Sequence, residues 1–542
     1  MRILQIVGYP IGRPLQGGPK RCSALRKALV HAGHCVRTLC VSYANSVANY
    51  GTSRSDEVFL IPSKELNDTE AMAPVLEDVL PALFFLSKEI DVGKLMARCE
   101  RFRPEVLILE HPFLWPLFRD YCISQRIFVV YSSHNVESSL KRELYAGSLS
   151  PESAEIFSRL VSAIESQLVL DASAIICVTE ADRKYWGIKA KKRSLVVPNA
   201  SDRPVRDEES ARVLQSLLDK RGFKRYAFFV GSDHDPNLVG FASCLGDNLS
   251  FLPPHKGILV MGGVRNALAR QGFWEGLYGN VNQARTLSMV SPDDKMVETA
   301  LLGASVVLLP ITRGAGSNLK TAQAILSAKP ILATEFSFRG YSDFAARARI
   351  SKPEDFRMAL VEMLETEQIP CTCAEENEEV LTWQYQGGEY AVALEEMFKT
   401  RGVLSAMEKS RAMGQLEHFD LKQAMRLLHN QGDATPGKAC ANNATSTSHR
   451  VFGRQQTFGQ VRFRIFRMMA VLFSALSEDD DAVFIDEIQR ILVGDSIATA
   501  RRYATVDHAR DSWGRLAIVL GILFSRRFAK RLLSRMTRSR SA

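Results

Sequence analysis

Short apolar runs alternate with stretches of helical spacing through the first part of the chain. For example, a helix is predicted over residues 21–32, between the apolar runs at residues 3–7 and 35–41, because Leu25, Ala28 and Leu29 would lie on one face. Continuous apolar runs are typical of strands that are buried on both faces of a parallel sheet. We therefore predict a Rossmann-like, doubly wound first domain over residues 1–200. The predicted strands are residues 3–7, 35–41, 106–109, 128–131 and 174–178.

The same alternation returns after a polar stretch at residues 201–210, where we place the domain boundary. Helical spacing at residues 295–302 and 319–328 separates the new apolar runs. The pattern predicts a second Rossmann-like domain over residues 201–402, with a last helix able to cross back to the first domain. The expected fold is α/β, with two doubly wound parallel-sheet domains facing a cleft. The predicted strands of the second domain are residues 226–230, 257–261, 305–309 and 330–333.

Strand patterns stop after residue 402, and residues 403–542 are predicted to form a helical extension. Residues 403–428 have helical spacing, and residues near 432–459 are rich in Asn, Ser, Thr and Gly, which predicts a linker. Helical patterns then resume and end in a basic tail. The tail contains seven Lys and Arg residues after position 525 and no acidic residue. Such a helix could lie on an anionic membrane, or it could pack on the globular body with its basic face in water.

The 542-residue chain has an ordinary globular composition, with 46% hydrophobic residues, 24% charged residues and a net charge of +9. Residues 1–7 predict a strand and not a signal peptide. The late apolar run at residues 516–524 is far shorter than the ~20 residues that a spanning helix needs. The ten cysteines form no CxxC pair, which indicates buried thiols in a reducing compartment. We expect a cytoplasmic protein, at most peripheral at the inner face of a membrane, with no nucleic-acid partner.

A glycine-rich loop between a predicted strand and a predicted helix carries the strongest chemical signal. It spans residues 309–321, where Gly314 and Gly316 let backbone N–H groups converge without Cβ atoms in the way. The helix that follows presents free N–H groups and the positive end of its dipole, and Lys320 adds a charge in the first turn. This arrangement predicts binding of an anion such as a diphosphate. The alternative is a tight strand–helix turn that needs glycine for steric reasons alone.

Two further segments follow predicted strands of the first domain. Gly17, Gly18 and Arg21 lack the spacing of a dinucleotide fingerprint, so they predict a loop facing an interdomain cleft and not an NAD site. His134 follows the strand at residues 128–131, at the sheet edge where parallel sheets bind ligands. A lone histidine is more often structural. No His/Cys cluster has the spacing of a metal site, so neither a metal nor another cofactor is expected.

Taken in order, these segments resemble the retaining, GT-B-fold glycosyltransferases of the group-1 (GT4-like) family, over about residues 1–400. No single segment decides the resemblance, which rests on their order along the chain. The segments are the opening strand with Gly17-Gly18 and Gly33-His34-Cys35-Val36, then Ser133-His134-Asn135-Val136-Glu137, Val197-Pro198-Asn199-Ala200, Phe229-Val230-Gly231-Ser232 with His234 and Pro236-Asn237, and residues 314–320 and 329–334.

The resemblance implies transfer of a sugar from a nucleotide diphosphate sugar to a glycan, lipid-linked or other acceptor. The donor would lie on the second domain, with Lys320 helping to neutralise its diphosphate and His134 contacting the transferred sugar. The acceptor would rest on the first domain, near Gly17, Gly18 and Arg21. The residues implied for the donor are Gly314, Gly316, Ser317, Asn318, Leu319 and Gln323, with Val290 and Ser291 for the base.

Two departures from the family pattern leave other functions open. Gln323 stands where the family usually has a Glu that holds the ribose, so the charge-assisted hydrogen bond is lost. Asp233-His234-Asp235 stands where the family often has an Arg and a Lys, although Arg313 and Lys320 could compensate. The alternatives are a catalytically silent GT-B binding or scaffold module and a sugar-nucleotide epimerase.

Overall fold

The structure is a computed structural model, and it describes residues 1–12, 17–43, 57–61, 63, 74–186, 194–290, 292–314, 316–366, 375–400 and 419–430. The chain divides into two compact units, Met1–Asp433 and Ala434–Ala542, and every described residue belongs to the first. Ser291, the predicted linker near 432–459 and the basic tail lie outside the described residues. None of the helices in the described part has the length and apolar character that crossing a bilayer requires.

The first sheet has seven parallel strands in the order β3-β2-β1-β4-β5-β6-β7. The five predicted strands are confirmed, with ends that move by one residue, and two edge strands join them. The strands are β1 (Arg2–Val7), β2 (Cys35–Ser42), β3 (Glu57–Leu60), β4 (Val106–Leu109), β5 (Phe128–Ser132), β6 (Ala174–Cys177) and β7 (Ser194–Val196). The helices between them are α1 (Gly17–His31), α2 (Leu80–Leu86), α3 (Gly93–Phe102), α4 (Trp115–Ser124), α5 (Glu137–Ser148), α6 (Pro151–Asp171) and α7 (Glu180–Tyr185).

The second sheet has six parallel strands in the order β10-β9-β8-β11-β12-β13. Here too the four predicted strands are confirmed, and β10 and β13 are additional. The strands are β8 (Arg225–Val230), β9 (Lys256–Met261), β10 (Thr286–Met289), β11 (Val306–Leu309), β12 (Ile331–Ala333) and β13 (Ala348–Ile350). The helices are α8 (Glu208–Arg221), α9 (Asp235–Leu245), α10 (Val264–Arg270), α11 (Gly279–Arg285), α12 (Asp294–Gly303), α13 (Leu319–Leu326), α14 (Phe356–Glu365), α15 (Trp383–Lys399) and α16 (Leu421–Asn430).

Both faces of each sheet are covered by helices, as a doubly wound fold requires. In β1, Ile3 belongs to the core on one face of the first sheet, whereas Leu4 and Ile6 belong to the core on the other face. Successive side chains of a strand point to opposite faces, so an uninterrupted apolar run fills two cores at once. The predicted α/β class, with two doubly wound parallel sheets, is therefore confirmed.

The last two described helices, α15 and α16, both pack on the first domain. In α15, Tyr390 and Leu394 share a buried cluster with Leu25 of α1. In α16, Leu428 joins the core of the first domain, and Gln423 Nε2 donates a hydrogen bond to Glu152 Oε1 at 3.1 Å. The chain thus crosses back over the domain junction before it leaves the described region.

Candidate functional site

The loops after β5 and β11 touch across the junction between the two sheets. Gly316 has a φ of 62°, and a Cβ placed on it would lie 2.6 Å from Asn135 Oδ1 and 2.8 Å from the carbonyl oxygen of His134. Glycine is needed here for its backbone conformation and for the close approach. Because β5 and β11 belong to different sheets, the carboxyl ends of both sheets face one cleft. The two segments that the sequence analysis singled out in separate domains lie side by side.

The first glycine segment forms a helix and not the predicted loop. Helix α1 begins at Gly17, and Pro19 sits in its first turn, where a missing N–H costs no hydrogen bond. A Cβ on Gly18 would lie 2.6 Å from the Tyr9 hydroxyl and 3.8 Å from His134 Nδ1. The amino terminus of α1 therefore faces His134 at close range, and the absence of a side chain at Gly18 allows this approach.

Arg21, which the resemblance implied near the acceptor, is buried and holds the junction between the domains. Its Nη1 donates to the carbonyl oxygens of Val197 at 2.8 Å and Pro198 at 3.3 Å, and to Asn199 Oδ1 at 3.3 Å. Burial lowers the pKa of Arg21 from its ordinary value. Because α1 starts at Gly17, Arg21 lies in the second turn of this helix.

The junction also binds the glycine-rich loop of the second domain. The backbone N–H of Asn199 donates to Ser317 Oγ at 3.2 Å, and Asn199 Nδ2 donates to the Ser317 carbonyl oxygen at 2.9 Å. The Tyr341 hydroxyl donates to the Asn199 carbonyl oxygen at 2.7 Å. A continuous path of hydrogen bonds therefore links Arg21 of the first domain to the loop of the second.

His134 is held by a chain of buried polar side chains. Its Nε2 lies 3.1 Å from Glu110 Oε2, Gln5 Nε2 donates to Glu110 Oε1, and the Thr38 hydroxyl donates to Gln5 Oε1 at 2.7 Å. Burial and the neighbouring His111 lower the pKa of His134 to about 4. Burial acts to raise the pKa of Glu110, but the hydrogen bonds from His134 and Gln5 outweigh it and lower this pKa to about 2. At neutral pH a neutral imidazole donates from Nε2 to a carboxylate, and its Nδ1 has no partner among the described residues.

A second polar pair, which the sequence analysis missed, lies beside His134. The His111 ring centroid is 4.4 Å from that of His134, and His111 Nδ1 is 3.3 Å from Glu137 Oε1. The Tyr9 hydroxyl is 2.9 Å from His111 Nε2. Burial acts to lower the pKa of His111, but the hydrogen bond with Glu137 outweighs it and raises this pKa. Glu110 and His111 directly follow a predicted strand, so the rule that singled out His134 could also have found them.

Lys320 provides a positive charge with a neutral partner. The Asn318 side chain caps α13 by accepting from the Lys320 backbone N–H at 3.3 Å, and Lys320 Nζ donates to Asn237 Oδ1. Among the described residues, no carboxylate lies within 4.0 Å of Lys320 Nζ. Burial lowers the pKa of Lys320 to about 8. An ammonium group without a counter-ion, beside free helix N–H groups, is suited to an anionic ligand.

The acidic segment that raised doubt about donor binding is matched by arginines. Asp233 accepts two hydrogen bonds from Arg270, at 2.8 and 2.6 Å, and Asp235 lies 3.8 Å from Arg313. Arg313 therefore faces Asp235. Because each acid has its own arginine, the segment adds little net negative charge near Lys320.

Leu319 and Gln323 line a cavity of about 1110 Å³ between α1, α12, α13 and α15. An ion pair between Lys20 and Asp294, at 2.7 Å, joins the two domains at its wall. Val290 is 38% exposed after β10. The structure thus brings Gly18, His134 and the glycine-rich loop together, whereas Leu319 and Gln323 line a cavity whose walls do not include Gly18, His134 or Gly316.

Comparison with known proteins gives matches in structure only. No family model matches the chain, and no curated protein matches its sequence. WaaG, a glycosyltransferase involved in lipopolysaccharide biosynthesis, is 14% identical with a TM-score of 0.45, covering 76% of this chain and 98% of WaaG. Anabaena HepE, solved in complex with UDP-glucose, is 14% identical with a TM-score of 0.44, covering 80% of this chain and 100% of HepE. Sucrose-phosphate synthase from Thermosynechococcus elongatus is 11% identical with a TM-score of 0.45, covering 79% and 99%.

Proposed function

We propose that this protein is a glycosyltransferase of the GT-B type that moves a sugar from a nucleotide diphosphate sugar to an acceptor hydroxyl. The observation that carries the proposal is the placement of Lys320, a cation with a neutral partner at a helix N-terminus, in a loop that contacts the His134 segment across the cleft. An anionic leaving group and a sugar hydroxyl would be recognised from opposite sides of the same cleft.

The diphosphate would lie against the start of α13, where backbone N–H groups and Lys320 stabilise the charge that develops on the leaving group. In the reaction, the bond between the anomeric carbon and the diphosphate oxygen breaks, and its electron pair leaves with the nucleotide. The acceptor oxygen forms the new bond, and its proton passes to the diphosphate or to water. Gly314, Gly316, Ser317 and Asn318 form the cradle in this proposal, and the nucleoside extends towards Leu319 and Gln323.

His134 would contact the transferred sugar as a hydrogen-bond acceptor. Its Nε2 hydrogen is directed to Glu110, so the Nδ1 lone pair is the atom left for a sugar hydroxyl near Gly18. The contact of Gly316 with the His134 segment closes the cleft and excludes water, which would otherwise compete with the acceptor. The proposed acceptor is a glycan or lipid-linked hydroxyl, the proposed stereochemistry is retention, and the proposed location is the cytoplasm, peripheral to the membrane. The acceptor and the stereochemistry rest on the sequence resemblance, and the location rests on the cysteine usage, the N-terminal strand and the basic tail.

A catalytically silent binding module is the second candidate, because Gln323 has replaced the charged ribose ligand of the family. A glutamine carbonyl can accept one hydrogen bond from the ribose but without the charge assistance of a carboxylate. This candidate predicts nucleotide binding without turnover. A sugar-nucleotide epimerase would change the donor sugar in the absence of any acceptor.

The test is mass-spectrometric turnover of UDP-, GDP- and ADP-sugars by the purified full chain, with Lys320→Met as the variant. Lys329→Met is the matched control, because burial also lowers the pKa of Lys329, which follows the same helix. Release of nucleotide diphosphate by the parent and the control, and its loss in Lys320→Met, would support the transferase. An epimerised donor would indicate the epimerase, and binding without turnover the silent module. Neither binding nor turnover of any nucleotide would refute the proposal.

A further inference from the structure

Three buried side chains with metal-binding atoms converge beneath the cleft. Cys22 comes from α1, Glu110 follows β4, and His134 follows β5. Their exposed fractions are 0%, 1% and 8%, and one ligand atom from each lies within 4.8 Å of the other two. Residues this far apart in sequence show no metal spacing, which explains why the sequence predicted no metal site.

Two of the three distances between ligand atoms are close to those of a tetrahedral centre, and the third is at most 4.8 Å. Cys22 Sγ lies 3.7 Å from His134 Nε2, and the same nitrogen lies 3.1 Å from Glu110 Oε2. With metal bonds of about 2.3 Å to sulfur and about 2.0 Å to nitrogen or oxygen, tetrahedral ligands are about 3.3 to 3.6 Å apart. Shifts of a few tenths of an ångström would therefore bring these two pairs of atoms into a coordination sphere with one open position.

The ligand types select the metal. A thiolate with an imidazole suits Zn²⁺ and related borderline-soft cations, whereas Mg²⁺ and Ca²⁺ prefer oxygen ligands. The thiolate and the carboxylate together supply two negative charges, which match a divalent cation. We propose that Cys22, Glu110 and His134 form a binding site for a Zn²⁺-type cation that this fold can hold or release.

The cation can bind and leave without disrupting the fold, because each of the three side chains has a hydrogen-bond partner in the metal-free protein. Glu110 already accepts hydrogen bonds from Gln5 and His134, so the fold does not depend on a cation there. On binding, the Cys22 thiol gives its proton to solvent as the metal–sulfur bond forms. His134 loses the proton on Nε2 and takes one on Nδ1, and its Nε2 lone pair then binds the metal.

The effect of a bound cation on sugar transfer rests on the proposed function. His134 would present an N–H at Nδ1 instead of a lone pair, and its ring would be pulled away from the position set by Glu110. A bound cation would therefore inhibit sugar transfer, although it does not take part in the reaction.

The test is Co²⁺ titration of the metal-free full chain, because Co²⁺ takes tetrahedral zinc sites and shows a thiolate-to-cobalt absorption band. We expect one equivalent of Co²⁺ with this band, displaced by Zn²⁺. Cys22→Ser should weaken binding by about 100-fold or more and abolish the band, since it removes a direct ligand. Cys122→Ser is the matched control, because Cys122 is an equally buried thiol on α4 away from the cluster. Glu110→Gln should weaken Co²⁺ binding but keep the thiolate band.

Circular dichroism identifies a variant that fails to fold, and Cys22→Ala then replaces Cys22→Ser. No thiolate band in the parent, or a band that persists without Cys22, would overturn the metal site. Inhibition is measured separately as Zn²⁺-dependent loss of donor turnover, relative to the metal-free activity of each variant. If no variant shows turnover, the proposed function fails while Co²⁺ binding still decides the metal site. Turnover in the parent that Zn²⁺ leaves unchanged would refute the inhibitory role.

Discussion

The affinity for a nucleoside diphosphate should depend on pH through Lys320. Burial in the cleft lowers the pKa of this ammonium group to about 8, and its partner Asn237 is neutral. A diphosphate binds the charged form, so the affinity should be full below pH 8 and should fall as the pH rises through the pKa. The terminal phosphate of the ligand ionises near pH 6, so it is about 90% ionised at pH 7 and its charge changes little above that pH.

The expected size follows from the fraction of charged lysine. With a pKa of about 8, about 90% of Lys320 is charged at pH 7 and about 10% at pH 9. The dissociation constant for UDP should therefore rise by about tenfold between these values, or about 1.4 kcal/mol. An ordinary lysine with a pKa of about 10.4 would change the same constant by less than about 5%. The measurement therefore distinguishes a lysine with a lowered pKa from a lysine with an ordinary pKa.

Isothermal titration calorimetry of UDP between pH 6.5 and 9.5 measures this dependence. Lys320→Met should bind UDP weakly at every pH and lose the slope, because the titrating group is gone. Lys329→Met should keep both the affinity and the slope, although burial also lowers the pKa of Lys329. A flat profile in the parent, or an unchanged slope in Lys320→Met, would show that Lys320 does not bind the diphosphate.

Two further substitutions, and a second measurement on Lys320→Met, test the cleft. Gly316→Ala should reduce donor turnover more than Gly33→Ala, since both residues have positive φ but only a Cβ at Gly316 would collide, with the His134 segment; equal effects would exclude a role for this contact. Arg21→Met should lower the free energy of unfolding by about 3 kcal/mol, because it leaves one buried and two partly buried acceptors without a charged donor; denaturant unfolding within 1 kcal/mol of the parent would contradict this. Lys320→Met should raise the melting temperature of the ligand-free protein, because burial of that charge costs up to about 3 kcal/mol; an unchanged or lower melting temperature would argue against it.

Central strands could be predicted from sequence because both of their faces are buried. In β4 every residue is buried, which produces an uninterrupted apolar run. The edge strands were not predicted, because one side of each strand faces solvent and its apolar residues are mixed with polar ones. In β13, for example, one residue is partly buried and two are exposed, and all three residues of β7 are only partly buried. These edge strands are positioned by their backbone pairing with a neighbouring strand, and this pairing cannot be predicted from a single sequence.

The parts of the site that could be predicted are formed by residues close in sequence, and the parts that could not are formed by residues distant in sequence. The glycine-rich loop and Lys320 form a local unit, in which a strand, a turn and a helix start follow one another within a few residues. The group around His134 is not local, because Cys22 lies 112 positions away and Glu110 lies 24 positions away. Only the order of the strands brings these residues together, at the carboxyl ends of β4 and β5 and beneath the start of α1.

Two consecutive residues of α1 make two different kinds of contact between the domains. Arg21 is buried and bound to backbone carbonyls of the junction, so its hydrogen bonds are costly to break. Lys20 pairs with Asp294 across the domains, but both side chains are partly exposed, and such pairs contribute only about 0 to 1 kcal/mol. Gly316 meets the His134 segment without any ion pair. The domains are therefore held together by buried hydrogen bonds at Arg21 and by a partly exposed ion pair at Lys20, and the buried group is the stronger of the two.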